Sequence, residues 1–360
     1  MKIVDKYILA NVFLGFLAAA ALLLPLFSTL DLVGELDDVS EEGYRLAQAL
    51  QVVMMTVPRR AVELGPFIAL LGGIVALGQL SLTQELSVLR AAGISATRIA
   101  FTTLMAGLVL ALTLGAVDEF LASPLQQKAL QIRAKAIAMT EKGSSKESSI
   151  WARKDGQVAR IGGLRQGRPS QIEIFSFDDQ DHLQEYIVAE YADIQPEGIW
   201  QLHNVRLKRW VNDEEEGIQQ LDQLPWHAIL PSTRLDEVSL PPESFSARQL
   251  RRYVLFLQGT GQPATQYEMA FWQKLGVPIL TLAMILFSVP FTFGQARSAG
   301  LGGKLALGSV VGLLVYVSNQ ILVNLGLLFK LNALLVGVLP AFVMLAIAIL
   351  IVCRFDRSSR

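Results

Sequence analysis

The sequence predicts an α-helical membrane protein of six spans, arranged three and three around an inserted all-β jelly-roll domain. Three observations predict it. Of 360 residues, 52% are hydrophobic and only 18% charged, with a mean hydropathy of +0.42, which is too apolar for a soluble chain of this size. Six apolar runs are each long enough to cross a bilayer. Between the third and fourth runs, from about Ser144 to Pro242, the periodicity changes from helical to alternating.

The net charge of -1 and the lack of a basic stripe argue against a nucleic-acid partner. The single cysteine, Cys353, excludes an intramolecular disulfide, so the β domain must be held by its own apolar core.

Met1 to Lys6 is basic, and Ile8 to Leu30 is the first span. A cleaved signal is excluded because Leu22 to Phe27 prolongs the apolar run past any cleavage site. Pro25 is expected to kink this helix. An acidic segment follows, with Asp31, Glu35, Asp37, Asp38, Glu41 and Glu42. Leu46 to Val57 is an amphipathic lead-in, and Pro66 to Leu80 completes the second span, where Gly72, Gly73 and Gly78 permit close helix contact.

The polar knuckle from Gln79 to Arg98 predicts a short helix over 81–93. Ser81 and Gln84 have capping-box spacing, and Gly93 stands where a left-handed C-terminal cap is wanted. Leu82, Leu86 and Leu89 share a face with Gly93, Gln84, Ser87 and Ala91 lie opposite, and Glu85 flanks the apolar side. Two readings stay open here: a loop helix on a membrane surface, or a coupling element pressed into a cytoplasmic partner.

Ile99 to Val117 is the third span, ending in Asp118 and Glu119, and a polar helix from Gln126 to Met139 carries Lys128, Arg133 and Lys135. In the β segment, Ile150–Ala152 and Val158–Ile161 flank the hairpin signal Asp155-Gly156, and Ile172 and Ile174 alternate with Glu173. Further turns are expected at Asp178–Asp181, Pro196-Glu197-Gly198 and Asp213–Gly217, with strands around Tyr186, Trp200–Leu207 and Leu221. Regular short strands imply a sandwich or jelly roll, with Ile172, Ile174 and Ile187 pointing inward. Its interior serves either as a path for acyl chains or as the solid core of a spacer.

Ser246 is expected to cap a helix over Ala247–Leu257. The fourth span runs from Tyr267 to Phe293, a short basic loop from Gly294 to Lys304. The fifth, Leu305 to Val323, holds Gly308 and Gly312 at GxxxG spacing with Ser318, Asn319 and Gln320. The sixth, Ala333 to Val352, ends in Arg354, Arg357 and Arg360. The domains are thus 1–142, 143–243 and 244–360. Lys2, Lys6, Arg90, Arg98, Arg297, Lys304 and the C-terminal arginines fall on one side, which the positive-inside rule makes cytoplasmic, with both termini there and the β domain outside. Arg45, Arg59, Arg60 and Lys330 run against that rule.

No catalytic constellation is present. Gly303-Lys304 is followed by Leu305 and is no phosphate loop, and His182, His203 and His227 have no metal-ligand spacing. The chain is expected to be no enzyme and to bind no cofactor or metal. The informative groups are ionisable residues near spans: Arg59, Arg60 and Glu63 on the second, Asp118 and Glu119 on the third, and Lys274 two turns into the fourth. Singly they snorkel or pair; as a set they line the outward mouth of a cavity suited to a phosphate-bearing substrate.

Several segments carry a family resemblance: Asp5-Lys6-Tyr7-Ile8, the knuckle from Gln84 to Gly93, Ile150-Trp151-Ala152, Ser246 to Leu257, and Phe271-Trp272-Gln273-Lys274 with Pro278. In that order the chain resembles, over essentially its whole length, the permeases of the lipopolysaccharide exporter, the LptF/LptG family, and its LptG branch more than its LptF branch. The resemblance implies a bacterial inner-membrane permease that extracts lipopolysaccharide from the outer leaflet and passes it to a periplasmic bridge. It implies as partners a paralogous LptF-type permease, an LptB-type ATPase dimer holding ATP and Mg, and an LptC-type bitopic protein. It makes Gln84, Glu85, Leu86, Leu89 and Arg90 the ATPase-coupling residues, with Glu85 as the acidic contact. It places Arg133 on the family's basic position near the substrate's phosphorylated inner region, which adds it to Arg59, Arg60, Glu63 and Lys274 as the expected cavity residues. The first and fifth spans, with Pro25, Gly308, Gly312 and Asn319, become lateral gates. Asp31, Asp37 and Asp38 stand where some relatives have lysines, which argues against direct phosphate binding by the first span. Two other classes fit less well: a lipoprotein or efflux permease commonly has its outer domain after the first span, and a sensor needs a larger cytoplasmic output domain.

Overall fold

A computed structural model describes residues 3–40, 43–140, 150–154, 156–165, 168–178, 182–195, 199–211, 214–227, 240–259, 263–293 and 300–358. Two compact units make up the chain: Met1–Thr140 with Pro242–Arg252 and Thr265–Arg360, and Glu141–Pro241 with Tyr253–Ala264. The turns expected at Asp155, 179–181, 196–198 and Asp213, the loop 294–299, and Lys2, Glu41, Glu42 and Arg360 lie outside the described residues.

In the first unit, α1 (Ile3–Leu36) is longer than the apolar run that predicts it. The acidic segment does not end it; Asp31 and Glu35 are helical and held by cations from other elements. Pro25 stands inside α1, and the Thr29 hydroxyl donates to its carbonyl at 2.7 Å. Ile8, Val12, Gly15, Phe16, Ala19 and Leu23 form the buried stripe, spaced as one helical face. That stripe meets α3 (Gly65–Leu82) backbone to backbone: a Cβ on Gly15 would lie 2.2 Å from the Gly72 carbonyl oxygen. α3 is apolar and buried nearly all round, which marks it as a central helix. The amphipathic α2 (Leu46–Glu63) precedes it, with Leu64 between them.

After α3 come the short α4 (Glu85–Ala91) and α5 (Ala96–Val117). Ser95 caps α5, its hydroxyl accepting from the Arg98 N–H. A π-helical turn, Asp118–Ala122, joins α5 to α6 (Ser123–Thr140) without a break. In regular α geometry the Pro124 ring would strike the carbonyl of Phe120, and the wider turn just before it makes room. The Ser123 N–H reaches back to the Asp118 carbonyl, the five-residue step of a π-bulge.

A 3-10 turn at Pro242–Ser244 leads into α7 (Ala247–Gly259). Ser246 and Gln249 form a reciprocal capping box there, at 2.9 and 3.3 Å. α8 (Thr265–Phe293), α9 (Leu301–Leu328) and α10 (Ala333–Ser358) complete the unit. Among the described residues six helical stretches are long and apolar enough to cross a membrane: α1, α3, α5 continuing into α6, α8, α9 and α10. Leu14, Leu17 and Leu22 of α1, and Val310, Leu313 and Leu314 of α9, are exposed, as befits faces turned to lipid or to another subunit.

The second unit is an antiparallel sheet of β1 (Ile150–Lys154), β2 (Gln157–Arg165), β3 (Arg168–Phe177), β4 (Leu183–Ile194), β5 (Ile199–Val211) and β6 (Glu214–His227). Every pairing joins consecutive strands, so among the described residues the domain is a six-stranded meander. As expected, an all-β domain is inserted between the helices; its described strands are joined by nearest-neighbour hairpins, which need only short turns. One face buries Ile161, Ile172, Ile174, Ile187, Trp200 and Leu202. In β5 the phase shifts at Asn204, left-handed at φ 53. Trp200 and Leu202 before it, and Val205 and Leu207 after it, therefore reach the same core. Trp200 and Trp226 pack edge to face with centroids 5.7 Å apart.

The Gly15–Gly72 contact leaves no room for a side chain. Gly72→Val is expected to part α1 from α3 at a cost of about 1–3 kcal/mol, read as a lowered thermal midpoint of the detergent-solubilised protein, with Gly34→Val, where a Cβ meets open space, as the neutral control.

Candidate functional site

Two constellations stand at opposite ends of the first unit's helices. The first is the knuckle. α3 runs on through Leu82, so Ser81 is still helical and the expected Ser81–Gln84 capping box does not form. Gln84 instead turns the chain in the left-handed conformation, φ 62, with no side-chain cap. The C-terminal end matches expectation. Gly93 is left-handed at φ 84, and the bonds from Gly93 N–H to Arg90 O and from Ile94 N–H to Leu89 O complete a Schellman motif.

Of the three leucines expected on one face, Leu86 is buried and Leu89 packs on the core, but Leu82 is exposed because it belongs to the end of α3. Gln84, Ser87, Val88 and Ala91 are exposed. Glu85 is engaged within the chain: it accepts from the Tyr7 hydroxyl at 2.7 Å, and Thr83 Oγ1 stands 3.0 Å from its other oxygen. Beside it, Arg98 grips Asp5 with two nitrogens at 3.0–3.3 Å. Tyr7 and Asp5 belong to α1, so both bonds tie α1 to the knuckle.

The second constellation is an ion cluster. Arg59 of α2 reaches Glu63 at 3.0 Å and Asp118 at 2.9 Å. Lys274 of α8 reaches the other oxygen of Asp118 at 2.6 Å. Arg60 bridges Glu63 at 2.8 Å and both oxygens of Asp31. Three cations thus meet three carboxylates, and the Lys274 and Asp118 side chains are only 9% and 10% exposed. Charges this far from water persist because they are paired.

A cavity of about 280 Å³ opens beside the cluster. Arg59, Glu63, Asp118, Lys274 and Asn319 line its polar part, and Leu114, Pro278 and Met284 are among its apolar walls. The structure therefore brings together Arg59, Glu63 and Lys274 with Asn319 and Gly312. Arg60 lines a second, neighbouring cavity with Asp31 and Glu35. Arg133 lines neither; it pairs with Glu35 at 3.1 Å and with Asp38. Tyr44 donates to the same Glu35 at 2.9 Å, and burial, with that carboxylate beside it, pushes the phenol well above its ordinary pKa. Gly308 and Gly312 admit Ile74 and Phe67 of α3, so the GxxxG face packs inside this chain. Pro25 lies in α1 outside both cavities, and Ile172, Ile174 and Ile187 belong to the other unit's core.

Asp118, which the sequence sets among the ionisable groups at a cavity mouth, is the anion shared by Arg59 and Lys274, and the π-turn carries it into the cavity wall. Its neighbour Glu119 faces elsewhere, accepting from the Ser246 hydroxyl at 3.1 Å and the Ala247 N–H at 2.9 Å to cap α7. The partner of Tyr7 was not legible in the sequence, since nothing local marks a bond across 78 positions. Among the described residues no group of three or more His, Cys, Asp and Glu could hold a metal ion.

Six apolar helices interrupted by a sheet, with a polar-mouthed cavity between the helices, define a polytopic membrane protein of the kind that serves as a transport permease. The family model for "Lipopolysaccharide export system permease LptF/LptG" matches residues 6–354. The LptG permease protein of Haemophilus influenzae is 30% identical over 342 residues, covering 94% of each chain. That of Escherichia coli strain K12 is 28% identical over 346 residues, again 94% of each. The chain belongs to the LptF/LptG family of lipopolysaccharide export permeases.

Removing one member of the buried trio strands the others. Asp118→Ala is expected to lose about 3–5 kcal/mol of stability, and Asp118→Leu combined with Lys274→Met to lose much less. Thermal unfolding in detergent checks both.

Proposed function

We propose that this chain is the LptG-type permease subunit of an ATP-driven exporter. It draws lipopolysaccharide from the outer leaflet of the bacterial inner membrane and passes it to a periplasmic bridge. Support comes from the family match over 6–354 together with relatives that are themselves LptG permeases. The chain carries no catalytic group of its own. ATP and Mg bind a separate LptB-type ATPase dimer, an LptF-type paralogue completes the membrane path, and an LptC-type protein begins the bridge. Both termini are cytoplasmic and the β unit periplasmic, as the positive-inside distribution argues.

The single observation that carries the site is the cavity beside Arg59 and Lys274, whose cations are largely buried among the helices and matched to carboxylates. Phosphoryl oxygens of the lipid take the place of those carboxylates in a charge-assisted exchange, while the apolar walls accept acyl chain. The exposed faces of α1 and α9 receive the partner permease, and the exposed face of α4 docks on the ATPase.

A photoreactive residue at position 316 or 319, which line the cavity, is expected to give ATP-dependent adducts with lipopolysaccharide in the assembled complex. Neutralising Arg59 and Lys274 together is expected to cut those adducts tenfold or more, each charge-assisted bond being worth about 1.5–3 kcal/mol. Adducts at position 174 but at neither 316 nor 319 would move the path to the β unit.

A further inference from the structure

α5, with the π-turn that continues it, carries an exposed apolar stripe that the cavity does not use. Phe101, Leu108, Leu112 and Phe120 are all exposed, Phe120 at 67%. Seven residues make about two turns of α-helix, and the wider π-turn lets the eight from Leu112 to Phe120 make about two turns as well, so the four share one face. Leu114 and Asp118, which line the cavity, lie on the other side of the helix. At about 1.5 Å per residue the stripe is about 28 Å long, against roughly 30 Å for the hydrocarbon core of a bilayer.

Cations stand where the stripe ends. The Arg248 guanidinium of α7 lies over the Phe120 ring, 5.3 Å from its centroid, and its side chain is 73% exposed, with Glu119 at 3.4 Å. Arg251 and Arg252 follow at the next turn, so all three arginines fall on one face of α7 while Leu250 is buried on another. Both are exposed, and neither has an ion-pair partner among the described residues. Like charges at that spacing repel, so this edge is complementary to an anion from outside the chain.

We propose that Arg248, Arg251 and Arg252 bind the phosphates of anionic glycerophospholipids of the surrounding bilayer, in the leaflet at the α7 end of α5, with Phe120 and Leu121 seated among the acyl chains beneath them. Two observations choose bilayer lipid over another acidic partner. The stripe has the length of a hydrocarbon core and turns cationic at its end, as a lipid-covered surface does and a protein seam need not. It also faces away from the cavity, so the edge is separate from the site argued above for the exported lipid. Arg248 keeps donors for a headgroup after meeting Glu119, since a guanidinium has five N–H groups. α7 is thereby pinned to the membrane surface, and in the orientation proposed above that leaflet is the outer one.

The test is a photoreactive residue at position 121 in the complete complex, held in nanodiscs of phosphatidylcholine with a minority of phosphatidylglycerol and a trace of lipopolysaccharide, the adducts being identified by mass. Phosphatidylglycerol is expected among the adducts at three or more times its share of the nanodisc. Arg248→Gln/Arg251→Gln/Arg252→Gln returns it to that share, Arg248→Lys/Arg251→Lys/Arg252→Lys keeps at least half of the excess, and added salt lowers the excess in the wild type. A second probe at position 112 gives lipid adducts in all three proteins, which shows that they are inserted alike. Phosphatidylglycerol at its bulk share in the wild-type complex overturns the proposal whatever the variants do, and so does an excess that survives the glutamine variant. Adducts mainly with a partner subunit make the edge a protein interface, and adducts mainly with lipopolysaccharide make it part of the export path; either result also overturns it. None of these readouts depends on transport, so the permease reading stands or falls separately.

Discussion

Asp118 grips cations from two other helices at once, Arg59 of α2 and Lys274 of α8, and the upper part of the helical unit is built round that bond. A carboxylate so far from water is tolerable only with its charge matched, so the three elements must arrive together. The π-turn makes this possible. By inserting a five-residue step before Pro124, it lets Asp118 face the cavity while adjacent Glu119 caps α7. Two consecutive acids thereby serve two different neighbours, which a regular helix would place about 100° apart on one turn.

The same logic governs α1. Its acidic end, which the sequence sets against phosphate binding, is the counter-charge for Arg60 and Arg133. Those arginines are not free cations: Arg60 is already satisfied where it lines the second cavity, and Arg133 is satisfied outside both. Pairing them within the chain costs less in folding than an empty basic pocket would, because unpaired buried charge is what destabilises. It also links the cavity to α1, since any change in the partners of Arg60 is felt at Asp31.

In the β unit, alternation is broken and restored. Asn204 interrupts the two-residue period of β5 so that Trp200 and Val205, five positions apart, enter one core. Without the shift, half of that strand's large side chains would turn to the other face. The consecutive pairing of the six described strands keeps their ladder contacts local along the chain, which favours rapid folding of the sheet.

The sequence by itself determined the six spans, the change of period that marks the insert, the Gly93 cap and the Ser246 cap. Each rests on local physics: hydrocarbon thickness sets the run length, pleat and helix set the period, and a cap needs residues within a turn of it. It also named Arg59, Arg60, Glu63, Asp118, Glu119 and Lys274 as unusual, since charge near a span is costly wherever it falls, while Arg133 was singled out by the family resemblance alone. Tertiary structure alone decided which of them meet. The bonds Lys274–Asp118, Arg60–Asp31 and Tyr7–Glu85 join residues 156, 29 and 78 positions apart, and no spacing encodes such a pairing. It decided the order of the six described strands, because strand order depends on which edges meet. It carried α3 through Leu82, past the Leu80 where the apolar run ends, and started α4 only after the left-handed turn at Gln84, with Leu86 held in the core.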